Sequence, residues 1–347
     1  PNRNSFIKYT CTTHVGIYQQ TGNKRLVGIC ISHSRLRIQR MISRHLESKL
    51  NCKKKYSCNA YLKISLSLFC SRFYFISLPL DKELITVFMK KYILDFTVVE
   101  NVKLHSNYVL LKMTNESALP PMLPGQFAEI RVDGSTTTFL RRPISINYVD
   151  KEKNEVWFLI QLVGDGTRQL AKVNKGDKVN VVLPLGKGFT LPTSGVQQKS
   201  LLIGGGVGTA PLLYLGEQLI KNGHQPVFLL GARSAQDLLQ LEDFQKLGPV
   251  YTTTEDGSHG EKGYVTQHSI LCKEKFDMIY TCGPKPMMVS VAKFAKENQI
   301  ECEVSLENKM ACGVGACLCC VENTNEGHLC VCKEGPVFNI KQLLWQI

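Results

Sequence analysis

Residues 310–320 read MACGVGACLCC, and the fold of the whole chain turns on what these residues do. Cys312, Cys317 and Cys320 stand as C-x4-C-x2-C, with Cys330 and Cys332 ten and twelve residues beyond Cys320. That is the plant-type [2Fe–2S] spacing. A tight loop of small residues (Gly313, Gly315, Ala316) can wrap such a cluster and leave backbone N–H groups free to bond its sulfurs, which helps set the potential. Structural zinc sites pair their ligands as two knuckles; here one knuckle follows a glycine loop, so zinc is the lesser reading. Isolated buried thiols are common, but seven of the chain's 14 cysteines fall within 301–332. Spacing leaves both Cys330 and Cys332 open as the fourth ligand. Cys319 adjoins Cys320, and neighbouring side chains diverge, so it is expected to be a bystander.

Working back from this loop, residues from Lys199 alternate between apolar strands and helical segments. SLLIGGG (200–206) precedes APLLYLGEQLIKNG (210–223), then PVFLLGA (226–232) and DLLQLEDFQKLG (237–248). FDMIYTCG (276–283) and PMMVSVAKFAKENQI (286–300) follow. Such alternation implies a parallel sheet covered by helices. Gly204, Gly205, Gly206 and Gly208 lie between a strand and a helix, where a pyrophosphate can meet backbone N–H groups. The pattern is G-x-G-x-x-P, ending at Pro211, and not the usual dinucleotide fingerprint. Cys282-Gly283-Pro284 repeats the strand–turn–helix arrangement, and two such turns in one sheet suit a dinucleotide site.

Further back, YILDFTVVENVKL (92–104), NYVLLKM (107–113), QFAEIRV (126–132), EVWFLIQLV (155–163) and DKVNVVLPL (177–185) read as short strands separated by turns. Their spacing predicts an antiparallel barrel or sandwich. Within FLRRPISINYV (139–149), Arg141 and Arg142 precede a proline and a serine. A guanidinium there can clamp a diphosphate; a solvated arginine pair at a sheet edge is the plainer alternative. GDGT (164–167) is a turn or a second phosphate contact.

Composition bounds the remaining choices. The 347 residues carry a formal charge of +13. Residues 1–88 hold 15 of the 42 Lys+Arg and three of the 29 Asp+Glu, so +12 lies in one quarter and +1 in the rest. A basic nucleic-acid cleft is therefore not expected in 89–347. No apolar run is long enough to span a membrane as a helix; Ile64–Leu80 is broken by Arg72. Residues 1–88 show neither metal-like cysteine spacing nor sustained periodicity. They are expected to be an unassigned basic extension, non-native or disordered, with the functional unit starting at Met89.

Taken in order, the R-P-I-S run, G-x-G-T, G-G-G-x-G-x-A-P-L, C-G-P and the cysteine loop resemble the ferredoxin reductase-like flavoproteins that carry a C-terminal [2Fe–2S] domain. SLENKMACGVGAC (305–317) and VCKEGPVF (331–338) are similar, more narrowly, to the electron-transfer subunits of NAD-dependent (B-type) dihydroorotate dehydrogenases. The resemblance covers Met89 to Ile347. It implies an α+β multidomain chain: an antiparallel β-barrel FAD domain (89–192), an α/β parallel-sheet NAD domain (198–300) and a small [2Fe–2S] domain (301–347). It implies that Arg142, Pro143, Ile144 and Ser145 hold FAD, that Leu159, Ile160 and Gln161 line the flavin, and that Gly166 and Thr167 hold its phosphates. Gly204, Gly205, Gly206, Gly208, Cys282, Gly283 and Pro284 would take NAD. Cys312, Cys317, Cys320 and, by the C-x-x-G-P-V-F run, Cys332 would bind the cluster.

The same resemblance implies a cytoplasmic oxidoreductase subunit in pyrimidine (UMP) biosynthesis with no catalytic residue of its own. Its partner would be an FMN-containing catalytic subunit, in a heterotetramer with two of each, with no nucleic acid and no membrane. Rivals are a subunit serving a hydrogenase, a sulfide-linked enzyme or glutamate synthase, and a zinc-stabilised interaction module.

Overall fold

Alternating burial builds the first sheet. In β4 (Tyr92–His105), Phe96 and Val98 point inward while Asp95 and Glu100 face solvent. The computed structural model describes residues 90–192 and 197–347, together with three strands ahead of them. Those strands, β1 (Val15–Gln19), β2 (Val27–Ile31) and β3 (Phe75–Ser77), form an antiparallel sheet in that order, within a separate unit ending at Met89. The expectation of a non-native or disordered 1–88 otherwise lies outside the described residues.

After β4 come β5 (Tyr108–Thr114), β6 (Phe127–Ile130), β7 (Arg142–Ser145), β8 (Tyr148–Asp150), β9 (Glu155–Gln161), the short α1 (Asp165–Leu170) and β10 (Lys178–Leu185). The seven strands run in the order β7-β6-β10-β4-β5-β9-β8, every pair antiparallel. The expected barrel is a half-barrel, because β7 and β8 remain as edges with no ladder between them. Pro143 on β7 lacks an N–H, which suits an edge.

The second sheet is parallel through β11 (Lys199–Gly205), β12 (Gln225–Ala232), β13 (Val250–Thr254), β14 (Glu261–Lys262), β15 (Met278–Cys282) and β16 (Glu301–Ser305). Helices cover it, so Leu201, Leu202 and Ile203 are all buried in succession, as a strand packed on both faces requires. The helices are α2 (Ala210–Lys221), α3 (Leu241–Gln245), α4 (Ile270–Lys273) and α5 (Lys285–Glu297). The 237–248 segment gives only the five residues of α3, because Gln240 before it is left-handed, with φ 53°.

The cysteine-rich segment leaves the sheet after β16, forms a hairpin of β17 (Val321–Thr324) and β18 (Gly327–Cys330), and returns as β19 (Val337–Asn339). β19 pairs antiparallel with β16, giving the order β14-β13-β12-β11-β15-β16-β19. The parallel sheet thus takes strands from 301–347, the stretch expected to form the cluster domain alone.

Asn147 joins the half-barrel to the parallel sheet. It is fully buried; its Nδ2 donates to the Ala210 carbonyl at 2.9 Å and to Gln240 Oε1 at 3.0 Å. Gln240 Nε2 returns a bond to Asn147 Oδ1 at 3.1 Å, and the Tyr214 amide donates to the Asn147 carbonyl at 3.2 Å. Asn147→Ala leaves the Ala210 carbonyl and the half-buried Gln240 side chain without this partner, which should cost about 1–3 kcal/mol. Urea denaturation should show a lower midpoint at an unchanged slope; an unchanged midpoint would mean this junction contributes nothing to stability.

Candidate functional site

β11 and β15 are parallel neighbours whose successors, β12 and β16, lie on opposite sides of the sheet. Open α/β sheets leave a crevice beyond the carboxyl ends of the strands at such a point. A cavity of about 920 Å³ lies there, lined by Gly205, Gly206, Gly208, Gly283 and Pro284, with Tyr108 and Gln161 facing them from the half-barrel. One 3-10 turn, Gly206–Thr209, leads from β11 into α2, so backbone forms much of this wall. A Cβ on Gly208 would approach the Cys282 carbonyl oxygen to 2.5 Å, so only glycine fits this crossing. Gly204 and Cys282 stand behind the wall: Gly204 packs on Thr209 and Leu212, and Cys282 is fully buried. At the far end lie Arg233, Thr253 and Glu255. The Thr253 hydroxyl is buried without a partner. Tyr108 accepts a bond from Gln161 Nε2 at 3.1 Å; burial raises its phenol, Asp237 adds to this and Arg233 opposes it.

Of the three residues expected to line a flavin, Gln161 lines this cavity and Leu159 and Ile160 do not. The Ile160 side chain is buried in the half-barrel core, and Leu159 packs with Tyr108, Ala210 and Leu239.

A second cleft of about 230 Å³ brings Arg142 together with Thr138, Gly164, Gly166 and Thr167. A Cβ on Gly166 would sit 2.4 Å from Arg142 Nε, so this glycine lets the guanidinium cross the turn. Arg142 Nη1 donates to the Arg141 carbonyl at 3.2 Å; no other side-chain bond of this guanidinium is formed among the described residues. Arg141 instead bonds the Glu129 and Asn180 carbonyls and the Asn180 side chain, which makes it structural. The Thr167 hydroxyl accepts from the Val163 and Gly164 amides, both at 3.1 Å, so it shapes the turn. Half-buried Pro143, Ile144 and Ser145 pair with Glu129, Ala128 and Phe127 of β6. A guanidinium with most of its donors unused, over a glycine crossing, is a cradle that fits a diphosphate.

The cysteine loop arranges its thiols as two pairs. The Cys317 amide lies on the Cys312 sulfur and the Cys332 amide on the Cys320 sulfur, which couples the residues two by two. Backbone amides converge on the sulfurs. Val314, Ala316 and Cys317 donate to Cys312 Sγ at 3.5, 3.3 and 3.4 Å; Gly315 donates to Cys332 Sγ at 3.1 Å, and Cys332 to Cys320 Sγ at 3.3 Å. Burial raises Cys332 to about 12. At Cys312 burial acts the same way, but the amides outweigh it and bring the thiol to about 6. Cys330 is buried and reaches only the Gly315 carbonyl, at 4.0 Å; Cys319 is exposed. Among the described residues no three His, Cys, Asp or Glu side chains converge on one metal-ion position. Two thiol pairs held by amides match a two-iron cluster, which takes four thiolates, better than they match one tetrahedral zinc.

Glu129 escaped the sequence reading, although it is the one carboxyl in an otherwise apolar strand. It is 2% exposed, and neither of its carboxylate oxygens has a partner. The Gly313 turn packs on its side chain, bringing the cysteine loop against β6. Burial lifts its carboxyl to about 7; Arg141 opposes the rise, Cys312 adds to it, and Arg142 opposes it. A carboxyl raised in the folded state stabilises the fold fully below its unfolded value, near 4.5, and that stability is lost as pH rises through about 7. Glu129→Gln should remove a pH-dependent cost that reaches about 3 kcal/mol at pH 8. Denaturation curves at pH 5 and pH 8 should differ less for the variant than for the unmodified protein; equal differences would contradict the shift.

Two family models match: the iron–sulfur cluster binding domain of dihydroorotate dehydrogenase B over residues 307–344, and the oxidoreductase NAD-binding domain over 202–293. The dihydroorotate dehydrogenase B (NAD(+)), electron transfer subunit of Shouchella clausii is 37% identical over 252 residues, 72% of this chain and 96% of that protein. Its Fusobacterium nucleatum counterpart is 36% identical over 250 residues, 70% of this chain and 95% of its own length. Among solved structures, an NADH-dependent reduced ferredoxin-NADP oxidoreductase superposes with a TM-score of 0.65 at 28% identity, covering 72% of this chain and 90% of its own. The FAD/NAD binding domain of the Vibrio cholerae nitric oxide dioxygenase shares the fold, with a TM-score of 0.52 at 20% identity, covering 60% of this chain and 97% of its own. The chain belongs to the family of electron transfer subunits of dihydroorotate dehydrogenase B (NAD(+)).

Proposed function

We propose that this chain conducts electrons from a dihydroorotate-oxidising catalytic subunit to NAD+. The partner would carry FMN, in a cytoplasmic heterotetramer with two of each subunit, serving pyrimidine biosynthesis. Residues 301–347 would hold a [2Fe–2S] cluster through Cys312, Cys317, Cys320 and Cys332. The half-barrel, 89–192, would hold FAD, and 198–300 would take NAD. When bound, these groups supply the chemistry: the cluster passes single electrons, the flavin joins one-electron to two-electron transfer, and the nicotinamide takes a hydride.

The chain's own residues hold and order these groups. Arg142 would offer the unused donors of its guanidinium to the FAD diphosphate where Gly166 leaves room. Ser145, three residues on, stands opposite Phe127 on the strand that also carries Glu129. The amides of Val314, Gly315, Ala316 and Cys317 point at sulfur, and such bonds raise a cluster's potential by offsetting its negative charge. Gly205, Gly206 and Gly208 let a dinucleotide approach the backbone, with Gln161 of the half-barrel across the cavity. One observation carries the reading. The Gly313 turn touches Glu129 on β6, which pairs with the Arg142–Ser145 strand, so cluster loop and flavin strand are one sheet neighbour apart.

An absorption spectrum of the purified full chain tests the reading, because flavin and [2Fe–2S] absorb visible light. Reduction of both by dihydroorotate should require the catalytic subunit, whereas NADH alone should bleach the flavin.

Arg142→Ala should weaken FAD roughly tenfold to a hundredfold, the loss expected for charge-assisted bonds. The protein should purify flavin-poor with its iron intact. Unchanged flavin content at micromolar FAD would place the anchor elsewhere.

Cys332→Ser should lose the cluster and keep FAD, while Cys330→Ser keeps a normal iron count and paramagnetic signal. The opposite result would reverse the ligand assignment.

A further inference from the structure

The switch-point cavity has one carboxylate side chain at its β15–β16 end. Glu307 follows β16 by two residues and lines the cavity. The buried Cys282 thiol donates to its Oε1 at 3.9 Å. Glu307 is exposed where the cavity opens to solvent, and the surrounding protein partly desolvates its carboxyl. That desolvation raises the carboxyl above its usual range, and the Cys282 bond opposes the rise.

The surroundings of Glu307 offer little else to a polar ligand. The neighbouring wall consists of glycines and prolines with Val207 and Met287. Ser290 is present, but its hydroxyl donates to the Pro286 carbonyl at 2.9 Å. Glu307 is thus the polar side chain at this end that is open to a ligand, with one sulfur contact that leaves acceptor capacity free.

The orientation of a dinucleotide follows from the sheet. In doubly wound folds the adenosine ribose lies over the end of the second strand, here β12, and the other half of the molecule crosses the switch point. That places the nicotinamide over β15 and β16. A carboxamide carries two N–H donors that lose affinity if buried unpaired. We infer that Glu307 binds the nicotinamide carboxamide, accepting one of its N–H bonds, and so fixes which edge of the ring faces the half-barrel. Resting on the reading that this cavity takes NAD, the inference assigns the nicotinamide end to one residue.

Binding to the full chain, loaded with both resident groups and reduced beforehand with dithionite so that NADH cannot pass on its hydride, tests it with three probes. These are NADH, ADP-ribose (which lacks the nicotinamide) and the reduced 3-acetylpyridine analogue, in which a methyl replaces the carboxamide nitrogen. The unmodified protein should bind NADH about tenfold more tightly than the acetylpyridine analogue, the scale of one charge-assisted bond. Glu307→Ala should erase that preference, weakening NADH about tenfold while ADP-ribose and the analogue stay within about twofold. Glu307→Gln keeps an acceptor oxygen and should hold NADH within about threefold. Equal affinity for NADH and the analogue in the unmodified protein overturns the inference without any variant. Parallel weakening of NADH and ADP-ribose in Glu307→Ala also overturns it, since that is the signature of a structural role. Failure of the unmodified protein to bind ADP-ribose would instead sink the NAD assignment of the cavity, and this inference with it.

Discussion

A single buried amide positions the halves of this protein. Asn147 places its donors on the Ala210 carbonyl and the Gln240 side chain, and its own carbonyl accepts from Tyr214. The strand that follows sits against α2, where the Tyr148 hydroxyl donates to Glu217 at 2.5 Å. Asn147 is buried and Gln240, Tyr148 and Glu217 are half-buried, so water competes little for these bonds, and breaking one leaves an unpaired partner. The main cavity has one wall from each half, Tyr108 and Gln161 from one and the glycine turn from the other. Its width is therefore set by this junction and not by either sheet alone.

Much of the plan was legible in the sequence, where local chemistry leaves a local trace. Cysteine spacing marked the cluster loop, and glycines between apolar runs marked both turns of the switch point. Residue-to-residue choices were less legible. Arg141 and Arg142 are identical neighbours, and only their opposite directions on a strand edge separate them: one faces Asn180, the other the Gly166 crossing. Thr167 reads as a phosphate contact, and its hydroxyl also closes its own turn in the cleft that Arg142 lines. The left-handed Gln240 that shortens α3 answers to Asn147, 93 residues away. β8 and β19 are three residues each, too short for any periodic signal; pairing with distant strands makes them strands at all.

Glu129 and Glu307 share a lesson about placement. Each is a carboxyl in a position that disfavours its charge, and neither is compensated by a salt bridge. Arg141 passes close to Glu129 yet donates to its main-chain carbonyl, so the carboxyl stays without a donor. Leaving such a group unpaired is costly, and it sits where β6 meets the cysteine loop. Nothing in apolar alternation requires a carboxyl there. Packing alone would have been served as well by an apolar residue of similar volume.

The excursion from β16 to β19 has a consequence for how this architecture can change. The cysteine-bearing segment departs from and returns to adjacent, hydrogen-bonded strands, with Ser305 paired to Val337. Its two ends are therefore a strand spacing apart, and the sheet beneath closes around them like a seam. A segment mounted this way is a cassette. It can lengthen, shrink or exchange its contents while the flanking strands stay in register, because closing such a loop costs little more as it grows. The dinucleotide-type sheet and the metal-binding loop are thereby free to vary on separate schedules, though they share one continuous stretch of chain.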